Sequence, residues 1–227
     1  MANKSNSKQY YRQKFPHIQY LGDTFFVTFR LHGSIPAIEL ARCKRNYQDR
    51  LLDVQNKYQS EILNYSKFEI HRKHLLEIDN LLHSIRHGPT FFSNENCAQI
   101  CEEQFHRFDN EFYKLLAFTI MNNHVHLLID TSVQFEMLEF DEERITNEFQ
   151  TLDRILKRIK GATAQYCNRE LNRSGQFWER ESYDTYIRNE RMLGNIITYI
   201  LNNPVKAGLI ANWQEYRWNY LATNSGI

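Results

Sequence analysis

Two histidines two residues apart, and a tyrosine and an asparagine four residues apart, are the side chains whose types and spacing can do chemistry. His124 and His126 stand in Thr119-Ile120-Met121-Asn122-Asn123-His124-Val125-His126-Leu127-Leu128-Ile129-Asp130. The second half of that stretch is aliphatic and β-branched and reads as a strand entering a core. Side chains alternate across a strand, so both imidazoles share one face, about 7 Å apart. Placed so, they can converge on a metal ion or an anionic oxygen. A pair of hydrogen-bonded core histidines is the plain alternative, and the spacing does not separate the two.

Tyr199 and Asn203 lie among Ile196, Ile197, Ile200 and Leu201, and a separation of four places them on one side of a helix. Two imidazoles, an amide oxygen and a phenol are the groups needed to cut a phosphodiester by covalent catalysis. A divalent ion held by His124, His126 and the Asn203 carbonyl would act as a Lewis acid on a phosphate oxygen. The Tyr199 phenol would attack phosphorus, and the phosphotyrosine formed would conserve the bond energy for rejoining. A phenol of pKa about 10 is protonated at neutral pH, so the metal or a water must help remove its proton. Tyr183 and Tyr186 are rival phenols; Tyr199 is preferred because Asn203 accompanies it and an Asn-Pro step follows. Asn203 can equally serve as a helix-end cap, and Trp178 as a core residue or a surface for base stacking.

The elements that must position these groups follow from periodicity. Residues 1 to about 15 read as an arm, and Thr24 to Leu31 as the first strand, bounded by Gly22-Asp23 and by Gly33-Ser34 with Pro36. Residues 37 to about 86 read as one or two long helices, with His71/His74 and His83/His87 as surface histidines. A helix over 95–105 is capped by Ser93 or Asn94, and a strand over 113–120 runs toward the histidines with a kink allowed at Met121-Asn122-Asn123. The acidic stretch after Asp130 reads as a loop. A basic amphipathic helix spans Thr151 to Arg169, and a short strand near Trp178 and Tyr183 follows. The last helix begins near Asn189-Glu190 and is expected to end at Asn203-Pro204, because proline disfavours the helical region for its predecessor. One antiparallel sheet with helices on one face is the economical α+β arrangement, in a single domain over 1–227 with a helical insertion at about 37–86 and a tail at about 207–227.

Composition narrows the classes. No apolar run is long enough to span a bilayer, and the polar start Met1-Ala2-Asn3-Lys4-Ser5-Asn6-Ser7-Lys8 lacks the apolar core of a signal peptide, so a cytoplasmic protein is expected. Cys43, Cys97, Cys101 and Cys167 contain no Cys-x-x-Cys pair and read as free thiols rather than a zinc site. The net charge of +1 conceals an acidic stretch over 130–148, where Arg144 is the single base, and a basic one over 154–206. That asymmetry is compatible with local phosphate binding, through Lys160, Arg180, Arg188 and Lys206, and equally with solvated helix faces.

His124-Val125-His126 preceded by Met-Asn-Asn resembles the HUH signature (His, a hydrophobic residue, His) of single-tyrosine transposases. Lys160-Gly161-Ala162-Thr163-Ala164, Gln176-Phe177-Trp178 with Glu181-Ser182-Tyr183-Asp184, and Tyr199 to Leu209 resemble the REP-associated tyrosine transposase branch. The resemblance runs from about Tyr20 to Pro36 and from Pro89 to Trp218. It implies a ferredoxin-like antiparallel sheet with the histidine pair on a central strand, and a Mg²⁺- or Mn²⁺-dependent enzyme that nicks and joins single-stranded DNA near hairpins through a 5′-phosphotyrosine. It assigns the metal to His124 and His126, the nucleophile to Tyr199 and the further polar ligand to Asn203. It also implies a nucleoid-associated monomer or homodimer. The family usually has proline where this chain has Asn122, and the 37–86 stretch is longer than in compact members. A hairpin-binding module without catalysis, which has kept the sheet and the basic helix, is the alternative of a different class.

Overall fold

The computed structural model describes the backbone of residues 8–12, 16–57, 61–85 and 87–223, and the side chains of 21–57, 66–85 and 87–223. In chain order the elements are β1 (Lys8–Arg12), β2 (Pro16–Tyr20), β3 (Thr24–Arg30), α1 (Ala37–Lys57), α2 (Glu61–Ser84), α3 (Glu95–His106), β4 (Lys114–Ile120) and β5 (His124–Asp130). After them come α4 (Val133–Met137), α5 (Glu142–Glu148), α6 (Leu152–Glu170), β6 (Tyr183–Tyr186), α7 (Glu190–Lys206) and β7 (Asn219–Leu221). The chain divides into two compact units, Met1–Arg30 with Phe91–Ile227, and Leu31–Thr90. Among the described residues no helix is long and apolar enough to cross a membrane. All four cysteines are free and buried.

The larger unit is built on five antiparallel strands in the order β6-β3-β5-β4-β7. The run β3-α3-β4-β5-α6-β6 on the order β6-β3-β5-β4 is the ferredoxin-like arrangement expected, and β5, with both histidines, is its central strand. The break between β4 and β5 is a hairpin turn through Met121-Asn122-Asn123, closed by Met121 N–H donating to His124 O at 2.8 Å.

Alternation along the strands sorts the sheet into two faces. Phe29 and Phe118 face α3, where Phe105 meets both, with ring centroids 6.1 and 5.2 Å away. Trp178 packs at 4.7 Å against Phe29, and its indole N–H donates to Thr163 Oγ1 of α6 at 2.8 Å. Here Trp178 is a core residue. The other face carries Phe26 and Leu128, paired across β3 and β5, and they pack against Ile197, Ile200 and Leu201 of α7. Helices therefore cover both faces rather than the one expected. Each strand is apolar on alternate residues of both sides, and every such side chain withdrawn from water contributes about 1.5–3 kcal/mol.

Four further expectations change. Lys8–Arg12, read as part of an arm, pairs antiparallel with β2, whereas residues 1–7 and 13–15 lie outside the described residues. The acidic loop folds into α4 and α5, because Asp141 caps α5 by accepting from Arg144 N–H at 2.8 Å. Buried Gln134 ties this segment down by donating to Phe112 O (2.8 Å) and accepting from Gln150 N–H (2.7 Å). The tail supplies β7 as a sheet edge on β4, anchored by Tyr216 Oη donating to Ile120 O at 2.9 Å. Finally, α7 runs through Pro204 to Lys206. It stops at Gly208 (φ 70°), where Leu209 N–H donates to Pro204 O and Gly208 N–H to Val205 O, both at 3.0 Å. This glycine-terminated motif satisfies the last carbonyls and decides the helix end more strongly than the proline does.

The smaller unit holds α1 and α2 packed together, so the helical insertion is two helices. Arg50 and Glu77 bridge them at 2.7 Å. His74, read as a surface residue, is fully buried, its ring 4.6 Å from that of Tyr47. Burial, followed by the nearby His71, Lys44 and Arg50, pulls its pKa down to about 4.

Two outcomes follow from these packing facts. Because His74 is neutral when folded and takes up a proton more readily when unfolded, stability is complete above about pH 6.5 and falls as pH drops from there toward 4. Urea midpoints measured over that range should decline in the wild type and decline less in His74→Asn. Gly208→Ala, in open space at a positive φ, should cost about 1 kcal/mol in the same assay.

Candidate active site on the sheet face under the last helix

The face of the sheet beneath α7 becomes polar beyond Phe26 and Leu128. The β3–β5 register sets Thr28 opposite His126 and Arg30 opposite His124, and cross-strand partners share a face. All four are buried. The two imidazole centroids are 4.8 Å apart, and a ring nitrogen of one lies within 4.8 Å of a ring nitrogen of the other. Each Nδ1 has a partner. His126 Nδ1 is 2.8 Å from Thr28 Oγ1, and His124 Nδ1 is 2.7 Å from Asn123 Oδ1. An amide oxygen only accepts, so His124 Nδ1 carries the proton of the neutral ring and Nε2 carries the lone pair. Metal-binding histidines are held in this way, with one nitrogen tied back so that the other faces the ion. The donor set thus fits a divalent cation.

Tyr199 reaches this face from α7. Its ring lies 5.4 Å from that of His126 at an interplanar angle of 63° and 5.9 Å, edge-on, from Phe26. Phe26 in turn stacks at 5.5 Å on His126. The ring is half-buried. Asn203, one turn further along α7, is buried beside Pro204 and Leu201. Lys206 is exposed, with its ammonium 5.8 Å from the Tyr199 ring centroid. Of the four central residues named from sequence, His126 therefore neighbours both His124 and Tyr199, and Asn203 lies on the same helix as Tyr199.

The rival phenols are placed differently. Tyr186 pairs with Phe25 and so belongs to the opposite face of the sheet; Arg188 lies 5.0 Å over its ring. Tyr183 pairs with Thr28 on the histidine face but two strands from β5. Burial, opposed by the nearby Arg30 guanidinium, pushes its pKa up to about 12, which disfavours a nucleophilic phenolate.

Lys160 turns to the protein. Its ammonium donates to Glu179 O (2.8 Å), Arg180 O (3.2 Å) and Ser182 Oγ (3.0 Å). Burial pulls its pKa down to about 8, opposed by the Glu179 carboxylate. Arg180 and Arg188 are both exposed.

Sequence reasoning missed Thr28, Asn123 and Arg30. A charged residue closing an otherwise apolar strand was a usable signal for Arg30. Thr28 had none, since its role appears only once β3 and β5 are in register.

No protein-family model matches this chain, and no curated protein matches it. Among solved structures, a REP-associated tyrosine transposase bound to a REP hairpin aligns over 93% of this chain and 81% of its own, at 13% sequence identity and a TM-score of 0.49. This chain is similar to that transposase. The likeness is one of outline at low identity.

Thr28→Val keeps the shape of the side chain and removes the hydroxyl beside His126. Calorimetric titration with Mn²⁺ should show affinity about 10–100-fold below wild type, with Thr28→Ser close to wild type.

Proposed function

We propose that this protein is a divalent-metal-dependent, single-stranded DNA endonuclease of the HUH type, which cleaves and rejoins strands near hairpins through a 5′-phosphotyrosine. The observation that carries the proposal is the contact of the Tyr199 ring with His126, on the face where the two imidazoles converge. A structural pair of core histidines gives no reason for a half-buried phenol to lie against them.

In this reading His124 and His126, with the Asn203 carbonyl as a further ligand, hold a Mg²⁺ or Mn²⁺ ion, which supplies Lewis-acid polarisation of the phosphoryl oxygen. Asn123 and Thr28 hold the two imidazoles in orientation. Phe26 limits the swing of the Tyr199 ring, keeping its hydroxyl near the reacting phosphate. The hydroxyl gives its proton to water and forms the oxygen–phosphorus bond; the bond from phosphorus to the 3′ oxygen breaks, and that oxygen takes up a proton. Attack by a 3′ hydroxyl on the phosphotyrosine reverses the exchange and rejoins a strand, with no external energy source. Lys206, beside the phenol, contacts the phosphate being cut, and Arg180 and Arg188 contact the strand further along.

The test is incubation of labelled, hairpin-flanked single strands with the protein and Mn²⁺, followed by denaturing electrophoresis. Wild type should yield a covalent protein–DNA adduct that chelator abolishes and Tyr199→Phe cannot form. Undiminished adduct from Tyr199→Phe would overturn the assignment of the nucleophile. Salt-sensitive hairpin binding by wild type with no cleavage, unchanged in His124→Ala, would instead identify a binding module.

A further inference from the structure

Lys160, Glu179 and Arg30 form a connected group at the edge of the histidine face. The ladder between β3 and β6 ends at the Thr28–Tyr183 rung, two residues short of Arg30. Beyond it Glu179 N–H donates to Arg30 O at 2.8 Å, so residue 179 continues the support of β3. The Arg30 guanidinium is 1% exposed and lies 3.4 Å from Glu179 Oε2. The same carboxylate accepts from Arg180 N–H at 3.1 Å through Oε1. From α6, Lys160 holds the 179–182 segment at three oxygens. Directly across from Arg30 on β5 stands His124.

We propose that Lys160 and Glu179 act through Arg30 as positioning residues for His124, holding the β3–β5 rung at which that imidazole stands. Two hydrogen bonds from one ammonium to the carbonyls of 179 and 180, and a third to the Ser182 hydroxyl, fix the 179–182 segment. That backbone and its carboxylate fix both ends of Arg30. A buried arginine so fixed leaves its cross-strand neighbour one packing arrangement, and an imidazole whose Nδ1 must meet Asn123 tolerates little displacement. Lys160, which by charge alone reads as a phosphate contact, instead serves the site from within. The inference rests on His124 being a working residue of the proposed function, and its readout is chosen to be independent of DNA cleavage.

The experiment is nitrogen-15 NMR of the His124 ring in wild type, Lys160→Met, Lys160→Arg and Glu179→Gln, with the backbone spectrum reporting the fold. In folded Lys160→Met the Nδ1 resonance should shift and broaden, and Lys160→Arg should restore it in part. The slope of log affinity for hairpin DNA against log salt should match wild type in Lys160→Met. An unmoved His124 resonance in folded Lys160→Met overturns the proposal. So does a slope smaller by about one, the mark of a lost phosphate contact. Should Lys160→Met fail to fold, Glu179→Gln keeps the carbonyl that Lys160 grips and weakens the Arg30 pair. A shifted resonance there supports the proposal, and an unmoved one overturns it. A protein that neither binds Mn²⁺ nor cleaves DNA, yet shows the shift, would lose the proposed function and keep the relay.

Discussion

The pairing of β3 with β5 is the constraint on which the site depends. A strand presents alternate residues to opposite faces, so a slip of one residue would turn both histidines into the apolar layer under α3. The register is set by Phe26 opposite Leu128 and Val27 opposite Leu127, whose side chains pack into two different cores. Those apolar rungs lock the polar ones that follow them, Thr28 with His126 and Arg30 with His124. The histidine pair is in this sense a consequence of hydrophobic packing on both sides of the sheet.

Burying so many polar groups on one face is costly unless each is hydrogen-bonded or paired. The structure meets that requirement locally. Thr28 and Asn123 serve the imidazoles, Glu179 serves Arg30, and Lys160 serves the segment that carries Glu179. A network of this kind is rigid, because displacing one member leaves others without geometry. Rigidity here falls on the imidazoles, whereas the phenol arrives on a separate element. The Tyr199 ring is half-buried and stands beside the exposed Lys206. The more exposed side of the arrangement is thus the helical side, and the fixed side is the sheet.

Much of this was legible from residue patterns, and the misreadings have particular causes. The extents of β3, α3 and α6 follow from periodicity alone, whereas one long strand and a kink at Met121-Asn122-Asn123 were both open until the turn there separated β4 from β5. The acidic stretch failed as a loop because charge density hides a short helix when its cap, Asp141, and its buried anchor, Gln134, are single residues. The end of α7 failed because proline was weighed above Gly208, whereas a proline near the last turn costs little and a left-handed glycine satisfies two carbonyls. His74 failed because a histidine amid charges on a helix looks solvated, and only the packing of α1 on α2 shows Tyr47 lying over it. Lys160 on a basic helix looked like its neighbours, yet its ammonium is bound to the 179–182 segment.

Sequence by itself determined which residues share a face: His124 with His126 on a strand, Tyr199 with Asn203 on a helix. Those relations are local, set by two residues per strand repeat and 3.6 per helical turn, and no tertiary contact alters them. Only the tertiary structure decided that these two faces meet. That depended on which side of the sheet α7 would cover, and apolar residues on both sides of each strand allowed either. The apolar rungs at Phe26 and Leu128 matched the α7 stripe, and the Tyr199 ring came to rest against His126 because it is rigidly attached to that stripe.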